Sequence, residues 1–341
     1  MFGIELHEFI SFFRQLGLAI AGAGSLWGLV FMYLGNRNKA NPTGSFIMTW
    51  IGLRLQYLVY GGGIMAIMGW LGILMIGGVE AHEGITLITT KATLVAAAQT
   101  MTPVYIGLVV ALLIGVVYKK MRLLTTRTGI SIMYLATFIL TFIAISYYTS
   151  FAGLDWNERI FHAFHGFHSI FTLGTVLTLD FMFLSSRASS LLQQHIFPLF
   201  PQISKVIWVG LSLDLLSVLL IYPDAVILSP RFFFAQTVVA ILIINGVLLS
   251  GVLTRRILKL IEQGKHEVSK KWTLLASVAG TISVTSWMSI TFVDFFPNLT
   301  LSYPQLLLVY ISVIIILFIG HEIWERYDTE GRDMSFEETS T

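Results

Sequence analysis

Long apolar runs alternate along the chain with short polar segments, and each run holds about 20 residues, the length that crosses a hydrocarbon layer as a helix. None shows the strict alternation of a barrel strand. Backbone groups in lipid must bond internally, so the pattern predicts an all-α, polytopic transmembrane helical bundle. Nine spans follow, at 15–34, 55–77, 92–118, 129–149, 161–184, 206–222, 232–253, 272–293 and 305–320. Within the second, Arg54 and the Gly61-Gly62-Gly63 run interrupt the apolar stretch, which allows an interfacial segment, a kink or an irregular turn. Gly17, Ala21, Gly22 and Gly24 on the first span are spaced for close helix contact.

An even number of spans returns the chain to its starting side, so spans one to four and five to eight can be read as two parallel four-helix units. Local echoes support that reading: LVFMYLGNR and DFMFLSSR at the ends of the first helices, and Ala98-Gln99-Thr100 and Ala235-Gln236-Thr237 on the third. Shared apolar composition produces similar echoes. The expected organisation is a first unit over 1–150, a second over 151–294, an additional helix over 295–326 and a disordered tail over 327–341, where apolar anchors are few.

Composition agrees with the pattern. With 341 residues, 55% hydrophobic, 12% charged and a mean hydropathy of +0.79, the chain has too little charge for a soluble domain. Charge then sets orientation. Sixteen of the 21 Lys and Arg lie in alternate connections and the C-terminal tail; Arg14, Lys91, Arg159 and Arg231 fall on the opposite side, and Arg54 lies between. Positive segments stay in the cytoplasm, so the N-terminus is expected outside and the C-terminus inside. Glu5 and Glu8 stand where a cleaved signal would carry Lys or Arg, so the first span is expected to be retained. The basic inner face suits an anionic leaflet of the lipid bilayer rather than nucleic acid. Without cysteine there are no disulfides, thiolate metal sites or cysteine nucleophiles. No glycine-rich phosphate loop follows a strand, and no Ser-His-Asp spacing stands out.

Candidate chemistry gathers at the head of the fifth span. In IFHAFHGFHSIFTLGTVLTLDFMFL, His162, His165 and His168 stand three residues apart, so on a helix His162 and His165 share a face while His168 lies farther round and deeper. Imidazoles at i and i+3 can chelate one metal ion or meet ligands from a facing helix. His7 and His82 also fall on the outer side, in Glu5-Leu6-His7-Glu8 and Glu80-Ala81-His82-Glu83. Imidazole with carboxylate suits zinc, copper, iron or nickel, and affinity order favours copper. Membrane boundaries also collect such residues simply because the interface tolerates them. Asp214 near the middle of the sixth span and Asp180 in the inner part of the fifth are carboxyls at membrane depth, which face a partner or a water-filled cavity; Arg54 is the first candidate partner, with Asn245 and Lys91 behind it. Two readings stand: a proton or cation relay from the outer histidines inward through Asp214, Asp180 and Arg54, or hydrogen-bonded clamps between helices.

From 161 to 287 the text, with His168, then LGTVLTLDFMF, SKVIWVGLSLDLLSVLLIY and SPRFFFAQTVVAILIINGVLL, resembles the CopD-like four-helix membrane proteins, a broad group that is similar in turn to the HemJ-type protoporphyrinogen oxidases. The resemblance implies either copper handling or haem b binding. In the haem pattern a first-helix histidine and a third-helix lysine matter. His168 matches the histidine, and Lys91 in the first unit is the candidate lysine, while the second unit has Gln236 or Arg231 in the corresponding region. The expectation is an inner-membrane protein whose outer His cluster holds a transition-metal ion, most plausibly copper, for uptake or transfer. A haem b redox protein, and a structural subunit of a larger membrane complex or homo-oligomer, are the alternatives.

Overall fold

The computed structural model describes residues 6–38, 41–79, 101–117, 126–150, 156–186, 196–221, 229–263, 270–296 and 299–338. These contain helices and no strand. In chain order they are α1 (Leu6–Arg37), α2 (Pro42–Arg54), α3 (Gln56–Val79), α4 (Met101–Val117), α5 (Thr126–Ser150), α6 (Trp156–Ser186), α7 (Phe200–Ile221), α8 (Pro230–Val247), α9 (Thr254–Glu262), α10 (Lys270–Phe295) and α11 (Tyr303–Glu338). A 3₁₀ turn at Phe197–Leu199 precedes α7, and a π-helical turn at Leu248–Leu253 joins α8 to α9.

Seven stretches among the described residues are long and apolar enough to cross a membrane, and the chain is a multi-pass membrane protein. Its surface carries the expected inversion: Ile64, Met68, Leu71 and Met75 form an exposed stripe on α3, and Ile106, Val110, Leu113 and Val117 form another on α4. Such stripes at helical spacing would aggregate in water and are satisfied by acyl chains. Two of the nine expected spans fall outside the seven for different reasons. The helix Met101–Val117 is apolar but short within the described residues. At 31 residues α6 is long enough, yet its interior carries two histidines, Ser169, three threonines and Asp180, which lower its hydropathy.

The chain divides into two compact units, Gly3–Pro223 with Phe295–Asn298, and Asp224–Asp294 with Leu299–Thr341. The division falls at 223/224 and not at the expected 150/151, because α6 packs into the first unit. Gly174 of α6 meets Ala19 and Ala23 of α1, and Trp27 Nε1 donates to Thr175 Oγ1 at 3.2 Å. The 32-residue α1 is the centre of this unit, flanked by α2, α3, α5 and α6.

The contact of α1 with α3 is backbone on backbone. A Cβ added at Gly17 would stand 2.5 Å from Ala66 N and 2.6 Å from Gly62 O, and one at Gly62 would stand 2.6 Å from Ala21 N. Small residues thus permit the approach that their spacing suggested. The interruption of the second span lies at Leu55, between α2 and α3, while the three glycines continue inside α3. Tyr134 Oη donates to Gly52 O at 2.5 Å, the carbonyl that would accept the Gln56 N–H in an unbroken helix. A side chain inserted into the ladder is a sufficient cause for a local break.

In the second unit Asn245 of α8 donates to Ala279 O of α10 at 2.7 Å, and Ser286 of α10 meets Tyr310 of α11, also at 2.7 Å. Asn245 is therefore spent on helix packing there. The last helix runs on through Glu338 instead of ending near 326, a departure from the expected disordered tail. No proline interrupts this stretch, and Glu322/Arg326 and Asp328/Arg332 have the i, i+4 spacing that supports exposed helix.

Candidate metal centre

Two helical pairs face each other in the first unit. On α6, His165 and His168 lie one turn apart with their rings edge to face, centroids 5.4 Å apart at 84°. On α7, Asp214 and Ser217 repeat the same i, i+3 spacing. The helices can approach because Gly210, one turn before Asp214, has no side chain where it meets Thr172. Thr172 in turn donates to His168 O at 2.7 Å, which keeps its hydroxyl on its own helix.

The carboxylate is the hub. Asp214 Oδ1 lies 3.2 Å from His168 Nε2 and 3.5 Å from His165 Nδ1, and it accepts from Ser169 Oγ. Ser217 Oγ donates to Asp214 O at 2.8 Å and sits 2.7 Å from His165 Nδ1 and 3.3 Å from His168 Nε2. His168 is 5% exposed, so its ring has little water to fall back on.

Hydrogen counting then gives the chemistry. The Phe164 carbonyl can only accept, so the 2.5 Å contact from His168 Nδ1 places a hydrogen on Nδ1. In the neutral ring this leaves Nε2 with a lone pair. The Ser217 hydrogen is engaged by Asp214 O, so Nε2 looks onto two oxygen acceptors. A lone pair 3.2 Å from a carboxylate oxygen calls for a cation between them, either a second proton on the ring, which makes the contact a His–Asp ion pair, or a metal ion.

A transition-metal ion fits the donor set. Bonds of about 2.0–2.1 Å to nitrogen and oxygen at tetrahedral angles separate ligand atoms by about 3.3 Å. The two measured edges, 3.2 and 3.5 Å, match that value, and all three ligand atoms lie within 4.8 Å of one another. Two imidazoles and a carboxylate are the ligand chemistry of zinc and copper sites. The Nδ1–H of His168 on a backbone carbonyl is the outer-shell bond that orients a ligating imidazole.

No family model, curated protein or solved structure matches the chain. The reading of the site therefore rests on its own geometry.

Among the predicted residues, the structure joins His165 and His168 through Asp214 of the next helix. Among the described side chains the converging imidazoles are His165 and His168. His162 lies on α6 and His7 on α1, with side chains outside what is described; His82 and Lys91 lie outside the described residues. The residues named for a relay from the histidines inward stand at separate places in the first unit. Asp214 faces the histidines, the Arg54 guanidinium lies 4.7 Å over the Trp50 ring, and Asp180 is twelve residues beyond His168 on α6, about 18 Å along the axis. Ser169 and Ser217 were not anticipated. Their signal was present: Ser169 is i+4 from His165, and Ser217 is i+3 from Asp214, so each shares a face with a residue already singled out.

Ser169 tests the outer shell. Removing its hydroxyl frees Asp214 Oδ1 to rotate. In Ser169→Ala we expect metal affinity to fall by about 10–100-fold, the usual cost of losing such a partner, with the number of ions bound unchanged; isothermal titration of the detergent-solubilised protein reads both.

Proposed function

We propose that this chain binds one transition-metal ion between α6 and α7, with His165, His168 and Asp214 as ligands, and that the centre serves uptake or transfer of the metal across the membrane. The observation that carries the proposal is the convergence of two imidazoles and one carboxylate from two helices, at ligand spacing and inside the bundle. Three protein ligands leave a fourth position open, as an ion in transit requires. Copper follows from affinity order and from the CopD-like resemblance of 161–287; zinc suits the tetrahedral spacing equally well. With the N-terminus outside, the first half of α6 and hence the centre lie toward the outer face.

The haem alternative gains no support from His168, whose Nε2 faces Asp214 and Ser217 rather than an apolar slot. The structural-subunit alternative has one observation behind it: the serine hydroxyls bond the same atoms, so the cluster also works as a polar clamp between α6 and α7. Metal analysis separates the two. Protein purified after loading with Cu²⁺ or Zn²⁺ and dialysis should retain about one ion per chain, and Asp214→Asn should retain far less. Wild-type protein that keeps no more metal than the variant would leave the clamp as the reading.

A further inference from the structure

In the second unit α8 passes through the π-helical turn into α9 without an intervening loop. About 20 residues cross a hydrocarbon layer as a helix, so the apolar run that begins just after Arg231 is used up within the π-turn, and α9 stands at headgroup depth. The chain changes character at that level. Ile244, Leu248 and Val252 are exposed and follow one another at four-residue steps, one apolar face turned outward. Three and four residues beyond Val252 the same face continues as Arg255 and Arg256, and Lys259 stands one turn farther on; all three are exposed. At 100° per residue the three cations share about 100° of the helix circumference. Leu253 and Ile257, on the opposite side, are buried.

Among the described residues no carboxylate neutralises Arg255, Arg256 or Lys259. The Arg256 guanidinium lies 5.8 Å over the ring of Trp272, at the head of α10, an aromatic contact that holds it in place and leaves its N–H groups for oxygen acceptors. Over 254–271 six Lys and Arg stand against Glu262 and Glu267, so the surrounding field is positive too. Orientation of the chain requires only that such charges lie in this connection. It requires neither three of them on one arc nor an apolar face leading into that arc. A phospholipid has the complementary form, apolar chains that end in a phosphate, and basic segments at a membrane boundary attract the anionic kind.

We propose that this face binds an anionic phospholipid, with the acyl chains along Ile244, Leu248 and Val252 and the headgroup phosphate on Arg255, Arg256 and Lys259. Arginine forks match the phosphate oxygens in pairs. A zwitterionic lipid brings its own cation to the arc and gains less from it. The site uses none of the metal ligands and stands whether or not the centre binds metal.

Native mass spectrometry of the full-length protein in detergent, titrated with phosphatidylglycerol or phosphatidylcholine of the same chain length, tests the site. Wild type should retain phosphatidylglycerol in preference to phosphatidylcholine. Each cation near an anionic headgroup contributes about fivefold, so the triple variant Arg255→Gln/Arg256→Gln/Lys259→Gln should lose about 10–100-fold in affinity for phosphatidylglycerol, and with it the preference. The single variant Arg255→Gln should lose about fivefold and decides the matter if the triple variant does not fold. Lys119→Gln/Lys120→Gln/Arg122→Gln, which removes the same charge from another connection, should bind like wild type. Affinity in the triple variant equal to wild type would overturn the proposal, and an equal loss in the control variant would reduce the arc to net charge. Inorganic phosphate at the lipid's concentration should not compete; displacement of the lipid by it would assign the arc to a soluble anion and likewise overturn the proposal.

Discussion

Replacing His168 by alanine abolishes stoichiometric metal binding, the largest functional effect expected of any single substitution. His168 is the most buried ligand, its Nε2 makes the shorter edge with Asp214 at 3.2 Å, and its tautomer is set by the Phe164 carbonyl. A ligand held in one orientation before the ion arrives costs little ordering when it binds. His165 is more exposed and its Nδ1 already has Ser217 as a hydrogen-bond partner. The expected order is therefore a greater loss for His168→Ala than for His165→Ala, and in both a greater loss than the roughly 10–100-fold caused by removing an outer-shell group. Competition against a chromophoric chelator measures all three. Copper-loaded protein adds a spectroscopic check, since nitrogen hyperfine lines from two imidazoles should fall to those of one. Equal affinity in wild type and His168→Ala would remove the metal centre.

Within one run of three glycines, two substitutions should have opposite outcomes. Gly62→Val drives a branched side chain into the backbone of α1, where even a bare Cβ would stand 2.6 Å from Ala21 N and 2.7 Å from Gly17 O. Backbone cannot move aside as a flexible side chain does, so the helices must separate along their closest contact. Overpacking typically costs about 1–3 kcal/mol, and more when the neighbours cannot yield. We expect Gly62→Val to lose the monodisperse peak in size-exclusion chromatography. At Gly61 an added Cβ meets nothing within 4 Å, and valine is a better helix former than glycine. Gly61→Val should elute and unfold like wild type. Similar behaviour of the two variants would mean that α1 and α3 do not meet as described.

Much of the architecture was legible in the chain, because the bilayer is a demanding solvent. Each crossing needs about 20 apolar residues in a helix, so hydropathy alone marks runs such as 129–149 and 305–320, which reappear in α5 and α11. The small residues of α1 announced a close contact, and Gly17 makes one. The fifth span, 161–184, reappears in α6 as well, although the polar residues that make it interesting lower its hydropathy.

Part of the candidate site could also be read. Three imidazoles on one helix end drew attention, and Asp214 was singled out as a carboxyl at membrane depth. Their meeting was not readable, since periodicity relates residues on one helix and says nothing of which face of another it touches. Asp214 was paired in expectation with Arg54 on the grounds of charge, but Arg54 stacks on Trp50 and the carboxylate turns to the histidines.

By itself the sequence determined that this protein crosses a membrane several times as helices, and which positions are costly to bury there. Only the tertiary structure decided which of those positions share a site. Gly210 against Thr172 sets the approach of α6 and α7, and that approach brings His165, His168 and Asp214 to ligand distance. The physical reason is the reach of each force: hydrophobic transfer acts on every residue independently of its neighbours, whereas coordination and hydrogen bonding act over about 3 Å and depend on a helix register that packing alone sets.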